Sequence, residues 1–543
     1  MNFANFRKPQ RYIGNEWNVI KKSPSGKISF CLCYPDLYEL GMSNLGMHIV
    51  YGLLNQHPDL FCERTFMPAE DLSTYLREKN KPLFSLETKK PLNEFEIIGF
   101  HLGCELNFTN VLHILTLGLI PAKAKDRKQQ IVVGGGVANP EPLSEFIDVF
   151  YLGEFEEVAD DFVKVIRKYK DKESRLRALA EIEGFYVPKF YEVNFVDGGY
   201  DFRRKYEYAR LPLKRVYVKD LDRAFVPQSW LTPHTEIIHD RIPIEIARGC
   251  PNRCSFCQAQ ALYAPYRERK IATIQNILKV AYEKSGYENF SFLGLSASDY
   301  SQIEELIDLC SDYCQNRRIG LSLPSLRASD IVGRLYRKLS KLKKASLTIA
   351  IEAARAPLRE SLNKRIGTKI LFEAAKILKS VGAKSIKIYF MYGFPQENEE
   401  DLLAIGEFLK SLSRSSHIKL NVSINAFIPK PFSLAEGFLM QSETVLNKKR
   451  EVIIKNLPQR SRVSVTFSSI QRSIFEAIVS GSDREFGKVI YRAYSKGVCF
   501  DGNRENFSWP TWQESMVQEK VDPKDYLNRQ AKNFPWSFIN SKP

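Results

Sequence analysis

Twice along its length this chain alternates short apolar runs with amphipathic stretches of helical period, and that alternation restricts its fold more than any other feature. In the first round the run Ile28–Tyr34 is cut off by Pro35 and Asp36, and further strands are expected over 97–102, 131–133 and 149–152. Helices are expected over 44–55, 107–117 and 155–169, between or after those runs. Parallel neighbours need a crossover, usually a helix, so the alternation predicts a parallel sheet covered on both faces. Residues 26–170 are read as a doubly wound, Rossmann-like α/β domain behind an irregular lead-in of residues 1–25. Between 184 and 240 the alternation fails, leaving short β-like pieces such as Gly184-Phe-Tyr-Val-Pro188 and Arg215-Val-Tyr-Val218, and 171–240 is read as a connector with some hairpin structure. From Pro243 the alternation returns, with strands expected over 244–247, 289–295, 321–323, 346–351, 385–392 and 419–427, and helices such as 274–285 and 370–381. Six strand–helix units are too few to close an eight-fold barrel, so 241–440 predicts an open, partial (β/α)6 barrel of the TIM type. Residues 441–543 are read as a smaller C-terminal domain, helical at first and irregular at its Trp-containing end.

Composition narrows the function classes. With 26% charged and 12% aromatic residues the chain is neither disordered nor collagen-like. Its longest apolar stretch, 111–122, is interrupted by His113 and falls well short of the roughly 20 residues a bilayer requires. The first residues, Met1-Asn-Phe-Ala-Asn-Phe-Arg7, lack the apolar centre of a signal peptide, so a cytoplasmic protein without a membrane partner is expected. A surplus of 79 Lys+Arg over 63 Asp+Glu, net +16, is compatible with an RNA partner through phosphate neutralisation, and equally with a basic bias spread over the whole chain. The basic run 334–344 is read as a solvated helix face with Leu335, Leu339 and Leu342 turned to the core.

The chemistry is carried by cysteines. Of ten, three lie within eight residues, in Arg248-Gly-Cys250-Pro-Asn-Arg-Cys254-Ser-Phe-Cys257. A Gly- and Pro-containing loop at the end of a strand lets all three thiolates turn toward one centre. Iron–sulfur clusters are held by such thiolates, and a four-iron cluster on three cysteines keeps one iron open to a small molecule. Structural zinc wants a fourth ligand, and His239 lies on the other side of the strand. Cys310 and Cys314 on one helix face, and Cys31 and Cys33 on one strand face, read as core thiols. Cys104, His101 and His48 fall near the crevice expected at the carboxyl ends of the first sheet's strands.

The C-x3-C-x2-C spacing, with the aromatic Phe256 before the last cysteine, resembles the radical S-adenosylmethionine (SAM) superfamily. The resemblance implies a 4Fe-4S cluster on Cys250, Cys254 and Cys257 that passes one electron to SAM, giving methionine and a 5′-deoxyadenosyl radical. It also implies an electron donor such as flavodoxin or ferredoxin. Phe256 and the turn Gly294-Leu-Ser296-Ala-Ser298-Asp299 stand where SAM is held, with Ser296 and Ser298 in place of the family's glutamate. Glu352, in Ile351-Glu-Ala-Ala-Arg355, and Arg359 look like the pair that meets the ribose and carboxylate of SAM, and Gly393, in Tyr392-Gly-Phe-Pro395, like the adenine-side turn.

The first domain resembles cobalamin-binding Rossmann-like domains, whose D-x-H-x-x-G frame reads here Asp36-Leu-Tyr38-Glu-Leu-Gly41, with tyrosine in the histidine position. Gly134-Gly135-Gly136 resembles the turn that admits the cofactor's nucleotide tail, Thr109 a further contact, and Gly153-Glu154 the close of the unit. Together with Tyr34–Gly46 and the tail segment Ser473–Arg484, the match runs over about 26–515 and resembles the radical SAM family that carries a cobalamin-binding domain. The function this implies is SAM cleavage at the cluster with cobalamin-dependent methylation of an unactivated carbon. The alternatives are a cobalamin-independent radical rearrangement or oxidation, an RNA-modifying activity, and a non-catalytic iron–sulfur protein that binds RNA. The substrate is not legible, RNA being one candidate.

Overall fold

The computed structural model describes residues 1–541 apart from 325, 343–346, 460 and 528–530. Its first domain is built on a six-stranded sheet of β1 (Ile28–Tyr34), β2 (Leu60–Phe66), β3 (Ile97–His101), β4 (Ile131–Gly135), β5 (Val149–Tyr151) and β6 (Phe185–Tyr186). The spatial order is β2-β1-β3-β4-β5-β6, with β1 to β5 parallel and β6 antiparallel. The order reverses between β1 and β3, which places the ligand crevice of a doubly wound sheet at their carboxyl ends. The helix Phe108–Leu117 is buried almost all round because it packs between this sheet and the C-terminal helix Phe486–Ser495. That explains why the longest apolar stretch of the chain belongs to a domain interior.

β2 escaped the sequence reading, and its physics explains why. The strand reads Leu-Phe-Cys-Glu-Arg-Thr-Phe and is buried throughout, Glu63, Arg64 and Thr65 included. Arg64 is tolerated because its guanidinium pairs with Glu16 at 3.0 Å and Glu87 at 2.6 Å. The lead-in is therefore part of the domain: Glu16 supplies a counter-charge and also accepts from the Tyr38 hydroxyl at 3.0 Å.

The connector forms the hairpin β7 (Tyr191–Val196) and β8 (Gly199–Arg204), then β9 (Leu213–Lys214). The barrel follows as β10 (Ile242–Glu245), a small antiparallel pair β11 (Ala247–Arg248) and β12 (Arg267–Glu268), then β13 (Asn289–Leu293), β14 (Gly320–Ser322), β15 (Leu347–Glu352), β16 (Ser385–Tyr392) and β17 (Lys419–Ala426). The six expected barrel strands are all present, although Ser346, expected to open the fourth, lies outside the described residues. They are parallel, in sheets β10-β13-β14 and β15-β16-β17-β18, the last strand being β18 (Val463–Phe467) from the tail. A final strand, β19 (Ile539–Asn540), returns to pair with β9. The basic run differs from expectation. Leu335, Leu339 and Leu342 are buried, but the described segment is turns and the short 3₁₀ piece Leu339–Lys341, because the preceding helix Ala328–Val332 stops at Gly333.

Replacing Arg64 with Met should leave the Glu16 and Glu87 carboxylates buried without a counter-charge and cost about 3–5 kcal/mol in urea unfolding. A loss under about 1 kcal/mol would show that the pair contributes nothing net.

Candidate functional site

The cysteine loop is positioned by a close backbone approach. Gly249 has φ +85, and a Cβ there would stand 2.6 Å from the Tyr263 carbonyl oxygen and 2.7 Å from that of Pro265. Only glycine fits this turn. The three cysteines follow, all partly exposed and free, and the loop ends in the helix Gln258–Leu262. Two backbone hydrogen bonds hold it down: Ser255 N–H donates to Leu362 O at 3.0 Å, and Ala435 N–H donates to Ser255 O at 2.9 Å. Phe256 packs onto Ala353, Leu358, Leu362, Phe394 and Phe427. Residues 353, 394 and 427 lie within two positions of the ends of β15, β16 and β17, so the loop lies over the carboxyl ends of the barrel strands, the end where such barrels do chemistry. Burial raises the Cys254 and Cys257 thiols, with the Lys364 charge working against it.

Three free cysteines on one loop are a donor set of the kind that holds an iron–sulfur cluster. Among the described residues no three His, Cys, Asp or Glu side chains converge as a single metal ion requires. Thiolates that each take a different iron need only surround a common centre. Beside them the Ser255 hydroxyl is buried without a partner, a polar group left over for something at the loop.

Around the loop the other expected contacts take distinct places. Ser296 is partly exposed and hydrogen-bonds Asp299. Burial alone would raise the Asp299 carboxyl, but Ser296, Asn252 and Arg327 outweigh it and hold it below the usual carboxylate value. Asn252 lies between two of the cysteines and donates to Asp299 at 2.7 Å, tying the serine turn to the cysteine loop. Ser298 is fully buried and accepts from Arg327 N–H at 3.0 Å. Glu352 ends β15 in the left-handed region, φ +69, at a register shift in the pairing with β16. Strain of that kind collects at functional sites. Burial raises its carboxyl, opposed by Lys364, whose Nζ lies 3.6 Å away. Gly393 turns with φ +90 below Leu446, and its N–H donates to Glu397 at 2.9 Å.

Arg359 departs from its expected role. It is 1% exposed, and its N–H groups are spent on the carbonyls of Ala353, Ala354 and Ile366 and on Thr368 Oγ1. It braces the turn that carries Glu352 instead of facing the open site. Lys364 is the cation beside Glu352.

The crevice of the first domain is partly closed by the chain itself. Asp36 accepts from Leu37 N–H at 2.8 Å and from Asn107 at 3.4 Å, and burial raises its carboxyl. Tyr38 is turned into the core against Phe66 and Glu16, so the histidine position does not address the crevice. A Cβ on Gly41 would stand 2.3 Å from the Phe66 ring, a packing reason for that glycine. Thr109 is buried and its hydroxyl is committed: it donates to Asp501 at 3.2 Å, which also takes the Trp512 N–H at 3.1 Å. Of the glycine triplet, Gly134 is packed under Leu102 and Phe150, while Gly135 has open space at its Cβ position and Gly136 turns with φ +91. His101 lies beside Gly136 and takes Asn44 Nδ2 at 3.0 Å, and burial lowers its pKa to about 4.

Two ion networks bring crevice and barrel together. Glu154, just past β5, is paired at 2.9 Å with both Arg248 and Arg267. Lys430, following β17, reaches Glu105 of the first domain at 3.1 Å and Glu476 of the C-terminal domain at 2.7 Å.

Comparison with known proteins accords with this geometry. Residues 46–188 match the family of N-terminal regions of radical SAM proteins, and residues 244–409 match the radical SAM superfamily, together more than half of the chain. The chain belongs to the radical SAM superfamily. An uncharacterised protein of Methanocaldococcus jannaschii is 28% identical over 468 residues, 86% of this chain and 90% of that one. The ribosomal protein uS12 methylthiotransferase RimO of Campylobacter jejuni is 24% identical over 221 residues, 39% of this chain and 48% of its own. Among solved structures, the radical SAM methyltransferase TsrM of Kitasatospora setae, with cobalamin and a [4Fe-4S] cluster bound, covers 91% of this chain and 99% of its own at TM-score 0.55 and 14% identity. The cobalamin-dependent SAM radical enzyme OxsB covers 82% of this chain and 58% of its own at TM-score 0.50 and 16% identity. At these identities the likeness of the two structures is one of fold.

In this radical SAM enzyme the residues that the sequence leaves without a role are Lys364, Lys430 and Arg267, together with Arg248 and Asn252, which stand inside the cysteine motif itself. The first three give no signal until their partners Glu352, Glu105 and Glu154 are seen. Asp501 carries a measurable consequence. Burial raises its carboxyl from 3.8 to about 6, with Trp512 and Thr109 opposing. A raised folded pKa contributes stability at low pH that is lost as pH climbs through about 4 to 6. Asp501→Asn should match wild type near pH 4 and be more stable at pH 8 by up to roughly 3 kcal/mol in urea unfolding. Equal pH dependence of the two would refute it.

Proposed function

We propose that this chain binds a 4Fe-4S cluster on Cys250, Cys254 and Cys257, cleaves SAM there with an electron from a flavodoxin- or ferredoxin-like donor, and methylates an unactivated carbon with the help of cobalamin held by the first domain. The observation that carries this reading is the cysteine loop pinned over the barrel's carboxyl end by Phe256 and Ser255. When bound, the cluster supplies the electron that breaks the C–S bond of SAM, and cobalamin supplies the methyl group.

The chain's own residues bind, orient and exclude water. Phe256, with Phe394 and Phe427, walls the loop off from solvent on the barrel side. Ser296 and the Ser255 hydroxyl offer hydrogen bonds beside the cysteines. Glu352 and Lys364, 3.6 Å apart, would offer one carboxylate and one ammonium to the ribose and amino-acid ends of SAM. In the first domain, Gly135 and Gly136 leave a bare backbone edge that a bulky tail can approach. Asp36 borders it. With Tyr38 in the core, a corrinoid would lie here without a protein ligand from that position. The description of TsrM as a methyltransferase with cobalamin bound, and of OxsB as cobalamin-dependent, supports this assignment.

A second reading keeps the radical and omits cobalamin. It is favoured by Thr109 and Tyr38, two of the expected contacts, being committed to Asp501 and Glu16.

The test is anaerobic reconstitution with iron and sulfide, incubation with hydroxocobalamin, gel filtration and an optical spectrum. About one cobalamin per chain beside the cluster absorption, with 5′-deoxyadenosine formed on reduction with SAM, is the expected result. Cys254→Ala should lose the cluster absorption and SAM cleavage while retaining cobalamin. Cluster without cobalamin would remove the methyltransferase and leave the second reading, and intact SAM would remove both.

A further inference from the structure

Arg215 lies in the connector, between β9 and the bridge that Val216 makes to Gly153 just past β5. Its backbone is fixed on both sides: Arg215 N–H donates to Asn540 O at 3.0 Å, and Val216 N–H donates to Leu152 O at 3.1 Å. The side chain enters the seam between the first domain and the segment after the cluster cysteines, with Tyr263, Tyr151 and Glu154 as its electrostatic neighbours. Nε and Nη1 are sealed from solvent and meet no acceptor. Glu154 does not serve, being committed to Arg248 and Arg267.

A guanidinium is all donor, and buried donors left unpaired are rare because they lose water without gaining a partner. What satisfies it best is a carboxylate or phosphate, gripped by parallel charge-assisted hydrogen bonds. Tyr263 beside it is 45% exposed and marks the solvent side of the seam. It is also close to the chemistry. Tyr263 follows the helix that begins after Cys257, and its carbonyl is the group Gly249 must avoid.

We propose that Arg215, with Tyr263 at the mouth, anchors an anionic group of the acceptor molecule, a carboxylate or a phosphate, in the seam between the first domain and the cluster loop. The proposal rests on the reading of this chain as a SAM-cleaving enzyme and adds the chemical class of its acceptor. SAM carries its own carboxylate, and the test separates the two sources.

The experiment is differential scanning calorimetry of the cluster-reconstituted, desalted protein titrated with inorganic phosphate and with acetate, against sodium chloride at matched ionic strength. Wild type should show a saturable rise in Tm with at least one of the two anions and none with chloride. Arg215→Met should weaken that binding at least tenfold. Arg215→Lys, which keeps the charge and loses the fork, should weaken it at least threefold and serves if the Met variant does not fold. Charge reversal at Lys125 and Lys128, in the basic cleft at the opposite end of the first domain, should leave the shift in place, as should saturating SAM. Anion binding unaffected by either Arg215 variant, abolished by the lysine reversals, displaced by SAM, or absent from wild type would each overturn the proposal. Cluster content and SAM cleavage measured on the same preparation report separately on the enzyme itself.

Discussion

One buried carboxylate, Glu154, sets how the two α/β units meet. Arg248 and Arg267 both pair with it, Val218 N–H donates to it at 2.7 Å, and its own N–H donates to Val216 O at 2.9 Å. In a dry seam each of these charges would be costly alone, so the group holds only as a set. Gly153 makes the approach feasible: its φ is +134, and a Cβ there would stand 2.1 Å from the Val216 carbonyl oxygen. Because Arg248 is two residues from Cys250, the contact that docks the domains also fixes the start of the cysteine loop. Domain placement and the placement of that loop are thus one mechanical unit.

The same logic recurs at Lys430. It leaves the carboxyl end of β17 and meets Glu105, one residue past Cys104 at the crevice of the first domain, and Glu476 of the C-terminal helix Ile470–Gly481. Parallel sheets present their loops, and hence their chemistry, at the carboxyl ends of the strands. Here the carboxyl ends of two such sheets are bound to each other through a shared cation. The tail contributes in kind: β18 extends the barrel sheet, β19 pairs with the connector, and Asp501 takes the hydroxyl of Thr109. First domain, barrel and tail are thereby tied together around the carboxyl ends of the two sheets.

Much of this was legible locally. The C-x3-C-x2-C loop stands out because its cysteines and their spacing are covalent facts of the chain. The strands β1, β3 to β5 and β13 to β17 show as apolar runs because their burial is paid for by no special partner. Where a special partner exists, the pattern is broken. β2 was hidden since Arg64 and Glu63 look like surface residues until Glu16 and Glu87 are seen around the guanidinium. The run around Leu335 looked helical since its leucines keep a core-facing spacing, yet Gly333 ends the helix before them. Tyr38, Thr109 and Arg359 carry the right position in a motif, but their side chains are spent on Glu16, on Asp501 and on backbone carbonyls.

By itself the sequence determined the two α/β units and the partial barrel, and set three cysteines on one loop, because period, turn residues and spacing are properties of neighbouring residues. Only the tertiary structure decided which polar groups remain free to act. Thr109 and Asp501 are 392 residues apart, and Lys430 and Glu105 are 325 apart. Whether a buried donor or charge is satisfied depends on such distant partners, since in a dry interior a polar group is either paired across the fold or left for a ligand.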